Sequence, residues 1–477
     1  MLGLGLLGVQ AVQAELAISR PGWGGESLNR VTLHGADARQ QLLVTQTVGD
    51  GTVADQTREA ALTAEPAGLV QITDGLVEPI ANGAGVITAH TRAGETAVIP
   101  FEVKGVSSEK PVNFSNSIVP LFTKHGCNSG GCHGKSSGQN GFKLSLLGFE
   151  PQEDYEYLLR EARGRRIFPG APERSLLLLK ASGQLPHGGG SRIDAGSFDY
   201  KTIVKWIRQG MPYGKPNDPS LEDIELYPPE RIMEPGARQQ LVVLARMSDG
   251  SIEDITHSAV YEANNREYAE VDNTGLVTAG GDSGEIAVMV RYQDKASVFR
   301  ASVPLGAPVD NLPAEINFVD NFIFSKWKQV GMPPSEVAGD STYLRRVTLD
   351  IAGRLPTLAE AESFLDDPAP DKRQRLVERL VRSEEYAEYF ANKWSALLRN
   401  KRANGAQIRS TLAFYDWIKE SLYNNKPYDR FVREIVAASG GIDQSPASAW
   451  FKQVSSQQAQ MEDTAQLFLG TRLQCAQ

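Results

Sequence analysis

Cysteine is scarce in this chain: there are three in 477 residues. Three thiols cannot staple a fold of this length, so a disulfide-dense scaffold is excluded. Long apolar runs are missing too, and no stretch approaches the about 18 consecutive apolar residues of a membrane-spanning helix. A surplus of positive charge is also lacking. Lys and Arg number 49 against 58 Asp and Glu, for a net charge of −9. That balance argues against nucleic acid as a partner, because nucleic-acid domains are normally basic. What is present is ordinary for a globular protein: 41% of residues are hydrophobic and 22% charged. Wholesale disorder and collagen-like repetition are therefore excluded. At roughly 100–200 residues per domain, the length suggests three or four domains.

Residues 1–14 read MLGLGLLGVQAVQA, an apolar run ending in the small-residue pattern Val12-Gln13-Ala14. This has the form of the apolar region and cleavage site of a secretory signal, here a remnant, because the basic leading region is missing and the first basic residue is Arg20. Export is the expected reading, and a first strand without a targeting role is the other.

The chain carries an internal repeat. Residues 38–60 and 237–259 align at a constant offset of 199, pairing Arg39 with Arg238, Leu42 with Leu241, and Asp50-Gly51 with Asp249-Gly250. Asp55 and Thr57 likewise pair with Asp254 and Thr256. Each copy reads as a β-rich run, an Asp-Gly turn and a further strand. More strands are predicted over Ala97–Val103, Glu285–Tyr292 and Ala296–Leu305. Several short strands in about 85–90 residues suggest a small β-sandwich. Both copies resemble the bacterial immunoglobulin-like group 2 domain, over roughly 16–104 and 222–306. The resemblance implies spacing or adhesion on an exported protein, with His34, His90 and His257 as ordinary sandwich residues.

Between the copies the composition changes. From Gly105 to Asp218 there are 15 Lys and Arg and 10 Asp and Glu, a local surplus of +5 in an acidic chain. After Leu312 the pattern becomes helical, beginning with Ile316, Val319, Ile323 and Trp327 at helical spacing. Thr357 with Glu360 forms a capping-box signature and Gly353 stands where a helix would stop. Further helices are predicted over Lys372–Arg382, Glu384–Asn400, Ile408–Asn424 and Tyr428–Ala438. The expected organisation is a signal remnant (1–14), an Ig-like sandwich (15–104), a small α-helical module (105–220), a second sandwich (221–308) and an all-α domain (309–477).

The chemistry concentrates in residues 125–134, His-Gly-Cys-Asn-Ser-Gly-Gly-Cys-His-Gly. A c-type haem site needs two thiols to add to the porphyrin vinyl groups and a following histidine to present imidazole to the iron. Cys127, Cys132 and His133 supply that set, with four residues between the thiols where two are usual. Gly130 and Gly131 in the insert would let the longer loop fold compactly. Two other uses of the same residues stand beside haem. Cys127 and Cys132 could form a disulfide in an oxidising compartment, which leaves His133 unexplained. His125, Cys127, Cys132 and His133 could bind zinc, although ligands this close in sequence would cramp a tetrahedron.

The surroundings resemble a small cytochrome c. A helical run over Ser117–Lys124 precedes the cysteines and another over Tyr200–Gln209 closes the segment. The resemblance implies that these helices pack together and that the loop before the last one carries the second axial ligand. That loop is Leu185-Pro186-His187-Gly188-Gly189-Gly190, so His187 is the expected distal ligand. Met211, just after the closing helix, is the alternative, and methionine would raise the potential of the iron. The basic run Arg163-Gly164-Arg165-Arg166 would pair with haem propionates or form a solvated turn. Two hydrolase lookalikes, Gly134–Gly138 and Gly281–Gly284, lack the strand or the triad partners their chemistry needs.

Over nearly its whole length the chain is similar to the large exported cytochrome-type proteins described from planctomycetes. These join immunoglobulin-like group 2 domains, a cytochrome c-like domain and a helical domain of unknown function. The residues that carry the resemblance are Cys127-Asn128 through Cys132-His133-Gly134, Gly138–Ser145, Pro186–Gly190 and Tyr343-Leu344-Arg345-Arg346-Val347-Thr348-Leu349-Asp350 through Thr357. It also implies that Leu473-Gln474-Cys475-Ala476-Gln477 opens a second haem motif, so the chain is expected to be C-terminally truncated with Cys475 an orphan. Arg345, Arg346, Asp350 and Arg354 would form a buried ion network or coat a helix. The expectation is an exported c-type cytochrome, periplasmic or at the cell surface, with one covalent haem c. Electrons would pass to a redox partner protein or to the missing C-terminal region, without nucleic acid or a membrane span. The alternative is a cell-surface adhesion or scaffold protein whose central domain keeps a disulfide or zinc and no haem.

Overall fold

The computed structural model describes residues 15–47, 52–401 and 408–473. The signal remnant at 1–14, the Asp50-Gly51 turn and Cys475 lie outside the described residues. The described chain divides into two compact units, one reaching to Pro334 and the other starting at Ser335.

The first unit contains two β-sheet sandwiches of matching topology. In the first copy the strands Val31–His34, Thr96–Lys104, Gly83–His90 and Ala61–Glu65 lie side by side, the outermost Val31–His34 parallel to its neighbour and the others antiparallel. In the second copy Glu230–Ile232, Lys295–Val303, Gly284–Tyr292 and Val260–Ala263 repeat that order. Alternation along the strands selects the core. Ile87 opposite Ile99 and Phe101 opposite Val31 point inward in the first copy, as do Val288 opposite Phe299 and Ile286 opposite Ala301 in the second.

The repeat also explains how the two copies meet. In each copy the Asp of the shared pattern accepts from the Thr two residues on: Thr57 N to Asp55 Oδ1 at 2.8 Å and Thr256 N to Asp254 Oδ1 at 2.9 Å. Its second oxygen crosses to the other sandwich. Asp254 Oδ2 accepts from Gln41 N at 2.6 Å, and Asp55 Oδ2 accepts from Gln240 N, the residue equivalent to Gln41. The next equivalent pair crosses as well: Arg58 donates to Gln240 Oε1 and His257 Nε2 lies 2.9 Å from Gln41 Oε1. Leu43, Val242 and Leu244 are buried together beside these bonds. The two sandwiches are thus joined face to face by a reciprocal, pseudo-two-fold clasp. His257, expected to be an ordinary sandwich residue, is part of it.

The segment between the copies is a small helical module whose ends return to one place. Phe114 N donates to Tyr213 O at 3.0 Å, and Asn113 Nδ2 to Asp218 Oδ2 at 2.9 Å. Asn113 also caps the turn Phe114–Ile118 that leads into the helix Val119–Lys124. Ser197 caps the helix Phe198–Arg208 through Tyr200 N. The two helices share an apolar core with Phe114, Ile118, Phe122, Leu178, Ile203 and Trp206, where burial of each large side chain contributes about 1.5–3 kcal/mol. Both sandwiches grip this module. Arg39 lies 4.2 Å over the Phe198 ring on one side; on the other, Lys124 Nζ donates to His257 O at 2.7 Å and Tyr292 OH to Asn116 O at 2.9 Å. The helix Phe318–Val330, read from sequence as opening the helical domain, is bonded to the second sandwich through Lys326 Nζ to Ser302 Oγ and Leu305 N to Val330 O, each 2.8 Å.

The second unit is all helical. Asp340–Ala352 ends at Gly353, left-handed at φ 71° and packed so closely on the Tyr389 ring that a side chain would collide with it. Leu358–Leu365 then starts with the Thr357/Glu360 capping box. The helices Lys372–Val381, Glu384–Leu397, Ile408–Tyr423 and Tyr428–Val436 occupy the predicted places. The expectation of a buried ion network fails, because Arg345, Arg346 and Asp350 are exposed on their helix. Arg354 does make a network, donating to both oxygens of Glu360 at 2.8 Å and to Glu385 at 3.3 Å. These bonds hold the Glu360 carboxyl down from 4.5 to about 2. Its folded value lies below the unfolded one, so its stabilisation is complete above pH 4.5 and is lost as pH falls toward 2. Glu360→Gln is expected to lower the unfolding free energy of this unit by about 1 kcal/mol at pH 7, a half-exposed pair being partly screened. The deficit should shrink in urea titrations below pH 4; an equal deficit at pH 3 and pH 7 would refute the assignment.

Candidate functional site

The loop after Lys124 is built from its own backbone. His133 N donates to Cys127 O at 2.9 Å, Gly134 N to Ser129 O at 3.0 Å and Leu147 N to Asn128 O at 3.0 Å. Gly130 and Gly131, expected to relieve the longer insert, adopt no left-handed angle and touch little. The glycine the loop requires is Gly134, where a Cβ would fall 1.9 Å from the carbonyl oxygen of Asn128. Cys127 and Cys132 are free thiols. Burial first, and the neighbouring Cys132 second, push the Cys127 thiol up to about 11. A thiol in that state is protonated at neutral pH and slow to oxidise.

His133 and His187, 54 residues apart in sequence, come together. Their ring centres are 6.3 Å apart and their planes differ by 7°. Each ring is anchored on the same side: His133 Nδ1 lies 2.9 Å from Phe142 O, and His187 Nδ1 lies 2.9 Å from Gly190 O. A carbonyl can only accept, so both rings carry the proton on Nδ1 and keep the Nε2 lone pair free. This is the arrangement that prepares histidine as a metal ligand. Met211 is placed differently. Its carbonyl accepts from Tyr155 OH at 2.6 Å, its N donates to Trp206 O at 3.0 Å, and its side chain packs against the module core.

The carbonyl that holds His133 is itself held. Gln139 and Phe142 exchange hydrogen bonds of 2.9 and 3.0 Å across a two-residue turn, Asn140-Gly141, with φ of 50° and 72°. That is the hairpin turn for which Asn-Gly is favoured. Beneath it lies Arg166, only 4% exposed. Neither the pairing with propionates nor the solvated turn expected of the basic run describes Arg166. Its Nη atoms donate to the carbonyls of Tyr157, Glu161 and Gly141, and its guanidinium lies 4.6 Å over the Phe142 ring. Arg163 and Arg165 are exposed. The sequence held a signal for the turn in Asn140-Gly141, but none for the burial of Arg166.

The zinc arrangement loses a ligand. His125 Nε2 lies 2.8 Å from Asp199 Oδ2, which Lys124 Nζ also contacts at 2.7 Å. Among the described residues no group of three or more His, Cys, Asp or Glu side chains could hold a metal ion. The hydroxyl of Ser283, in one hydrolase lookalike, donates to Pro304 O.

Two family models match. Residues 318–477 match PSCyt2, a protein of unknown function (DUF1549). Residues 221–298 match the bacterial Ig-like domain (group 2). The second sandwich is therefore an Ig-like domain of that group, and the module at 105–220 lies in neither match. No curated protein matches the chain. Among solved structures, the S-layer protein rSbsC(31-844) is 13% identical, with 63% of this chain covered and a TM-score of 0.17. This chain spans 29% of that protein's length. SbsC domains 5-6 are 10% identical with a TM-score of 0.22, covering 58% of this chain and 93% of theirs. A chimeric titin Z1Z2 is 9% identical with a TM-score of 0.12, covering 61% and 96%.

Proposed function

We propose that the module at 105–220 is a cytochrome c-like domain that holds one haem c, with thioether bonds from Cys127 and Cys132 and axial nitrogens from His133 and His187, and that the protein is an exported electron carrier. The observation that carries this reading is the pair of near-parallel imidazoles, both anchored through Nδ1, beside two free thiols. Haem, when bound, supplies a one-electron couple. The chain's own residues do the rest. Cys127 and Cys132 would tether the group, the carbonyls of Phe142 and Gly190 hold the imidazole protons on Nδ1, and the two Nε2 atoms would be free to bind the iron. Two histidine ligands would favour outer-sphere electron transfer over ligand activation. The Ig-like domain supports export, to the periplasm or the cell surface, and the electron partner is another protein or a further domain.

The test is a haem stain on a denaturing gel, after export with a cytochrome maturation system. Haem that survives denaturation in the wild type and is lost in Cys127→Ala/Cys132→Ala is the expected result. Folded, exported wild-type protein that never stains would overturn the reading and favour a surface scaffold.

A further inference from the structure

We infer that Arg166 is a positioning residue for His133, acting through the Asn140-Gly141 turn and Phe142; the consequence for the iron rests on the haem reading above, while the effect on the imidazole does not. A buried guanidinium normally lies against a carboxylate. Arg166 has no ion pair among the described residues and spends its Nη donors on main-chain oxygens instead, those of Tyr157 at 2.7 Å, Glu161 at 3.1 Å and Gly141. It thereby ties the turn to the helix Pro151–Leu159 and the residues after it. The face of the guanidinium covers one side of Phe142 at 4.6 Å, and the same ring lies 4.6 Å from the His133 ring at 47°. Phe142 contributes twice, because its carbonyl also accepts from Gln139 N and from His133 Nδ1.

Position and tautomer of His133 therefore depend on one carbonyl, and that carbonyl is placed by the fork of Arg166 from below. Lysine has the charge but not the planar fork that reaches two directions and stacks on an aromatic ring. A neutral side chain loses both. His187 is anchored within its own loop by Gly190 O and serves as the internal control.

The experiment uses the full chain without haem, labelled with nitrogen-15, and reads the imidazole tautomers from long-range proton–nitrogen spectra at alkaline pH. In the wild type both His133 and His187 should carry the proton on Nδ1. In Arg166→Gln the ratio of Nδ1–H to Nε2–H at His133 should fall about fivefold, the worth of one net hydrogen bond, with His187 unchanged. Arg166→Lys, which keeps the long stem and the charge, should fall between the two and stands in if Arg166→Gln does not fold. Phe142→Leu, which keeps the carbonyl and removes the stacking ring, should move His133 in the same direction. A folded variant in which His133 keeps the wild-type tautomer ratio overturns the inference, even if haem stains normally. If wild-type protein never stains while the tautomer shifts as described, the haem reading fails and the positioning role stands.

Discussion

If the module holds haem c as proposed, His187→Ala is expected to open the iron to added ligands, whereas Met211→Leu is expected to leave it closed. The two residues are held differently. The His187 ring lies 6.3 Å from the His133 ring with Nδ1 tied down, while Met211 is held through its backbone, its N donating to Trp206 O at 3.0 Å and its carbonyl accepting from Tyr155 OH, with its side chain against the module core. An added ligand such as cyanide would have to displace whichever of the two residues bound the iron. If that residue is released about 1% of the time, the apparent affinity is reduced about 100-fold. Cyanide affinity should therefore rise on the order of 100-fold in His187→Ala, with loss of the six-coordinate low-spin spectrum and with covalent attachment retained. A Met211→Leu spectrum indistinguishable from wild type completes the assignment. Should Met211→Leu open the site and His187→Ala leave it closed, the axial pair is His133 with Met211, and a higher potential should accompany it.

The second large effect is expected at the clasp between the sandwiches. Asp254 is half-buried and accepts from Gln41 N at 2.6 Å, Gln40 Nε2 at 2.9 Å and Thr256 N at 2.9 Å. Asp254→Ala leaves these donors dry and unpaired, at about 1–3 kcal/mol for each one that finds no water. A total of about 3 kcal/mol should lower the thermal midpoint of the first unit by about 4 °C. Asp55→Ala should act similarly through Gln240 N. The double variant should lose less than the sum, because both residues serve one interface. Strict additivity in calorimetry would show that the two bonds are not coupled and that the clasp is not a unit.

The same interface carries a pH dependence. Gln41 spends its amide protons on Leu42 O and Asp74 O, so its Oε1 is an acceptor and His257 must donate from Nε2. Burial first, then Arg39, Lys124 and Arg58, hold His257 down from 6.5 to about 3, against Asp272. The unfolded chain takes up this proton below 6.5 and the folded one does not, so the contribution of neutral His257 is complete above pH 6.5 and declines toward pH 3. Asp55 and Asp254, raised by burial, work in the opposite sense as they protonate and limit the loss at the acid end. His257→Gln should flatten the stability profile of the first unit between about pH 4 and 6.5.

Local rules made much of this molecule legible beforehand. The helices after Ser335 were readable because their stops and starts are written in single residues: Gly353 in the left-handed region, Thr357 with Glu360 as a capping box. The sandwiches were readable because alternation along a strand and a repeat at fixed offset need no knowledge of neighbours. The helix Phe318–Val330 was also visible, but its attachment to the second sandwich through Ser302 and Leu305 was not, since helical spacing reports a face and not what covers it. Arg166 shows the same limit more sharply. In sequence it is one of three arginines in a basic run, and its two neighbours are exposed.

Spacing along the chain and side-chain chemistry were enough to place the β-rich regions ahead of the C-terminal helical one and to single out Cys127, Cys132, His133 and His187 as candidates. It takes the fold to show that the His133 and His187 rings lie near-parallel with Nδ1 anchored, that Arg166 bonds the turn beside His133, and that Asp55 and Asp254 join the two sandwiches. Those are facts of orientation and burial between residues tens to hundreds of positions apart. They arise from how packed surfaces exclude water and satisfy their hydrogen bonds, which no local pattern records.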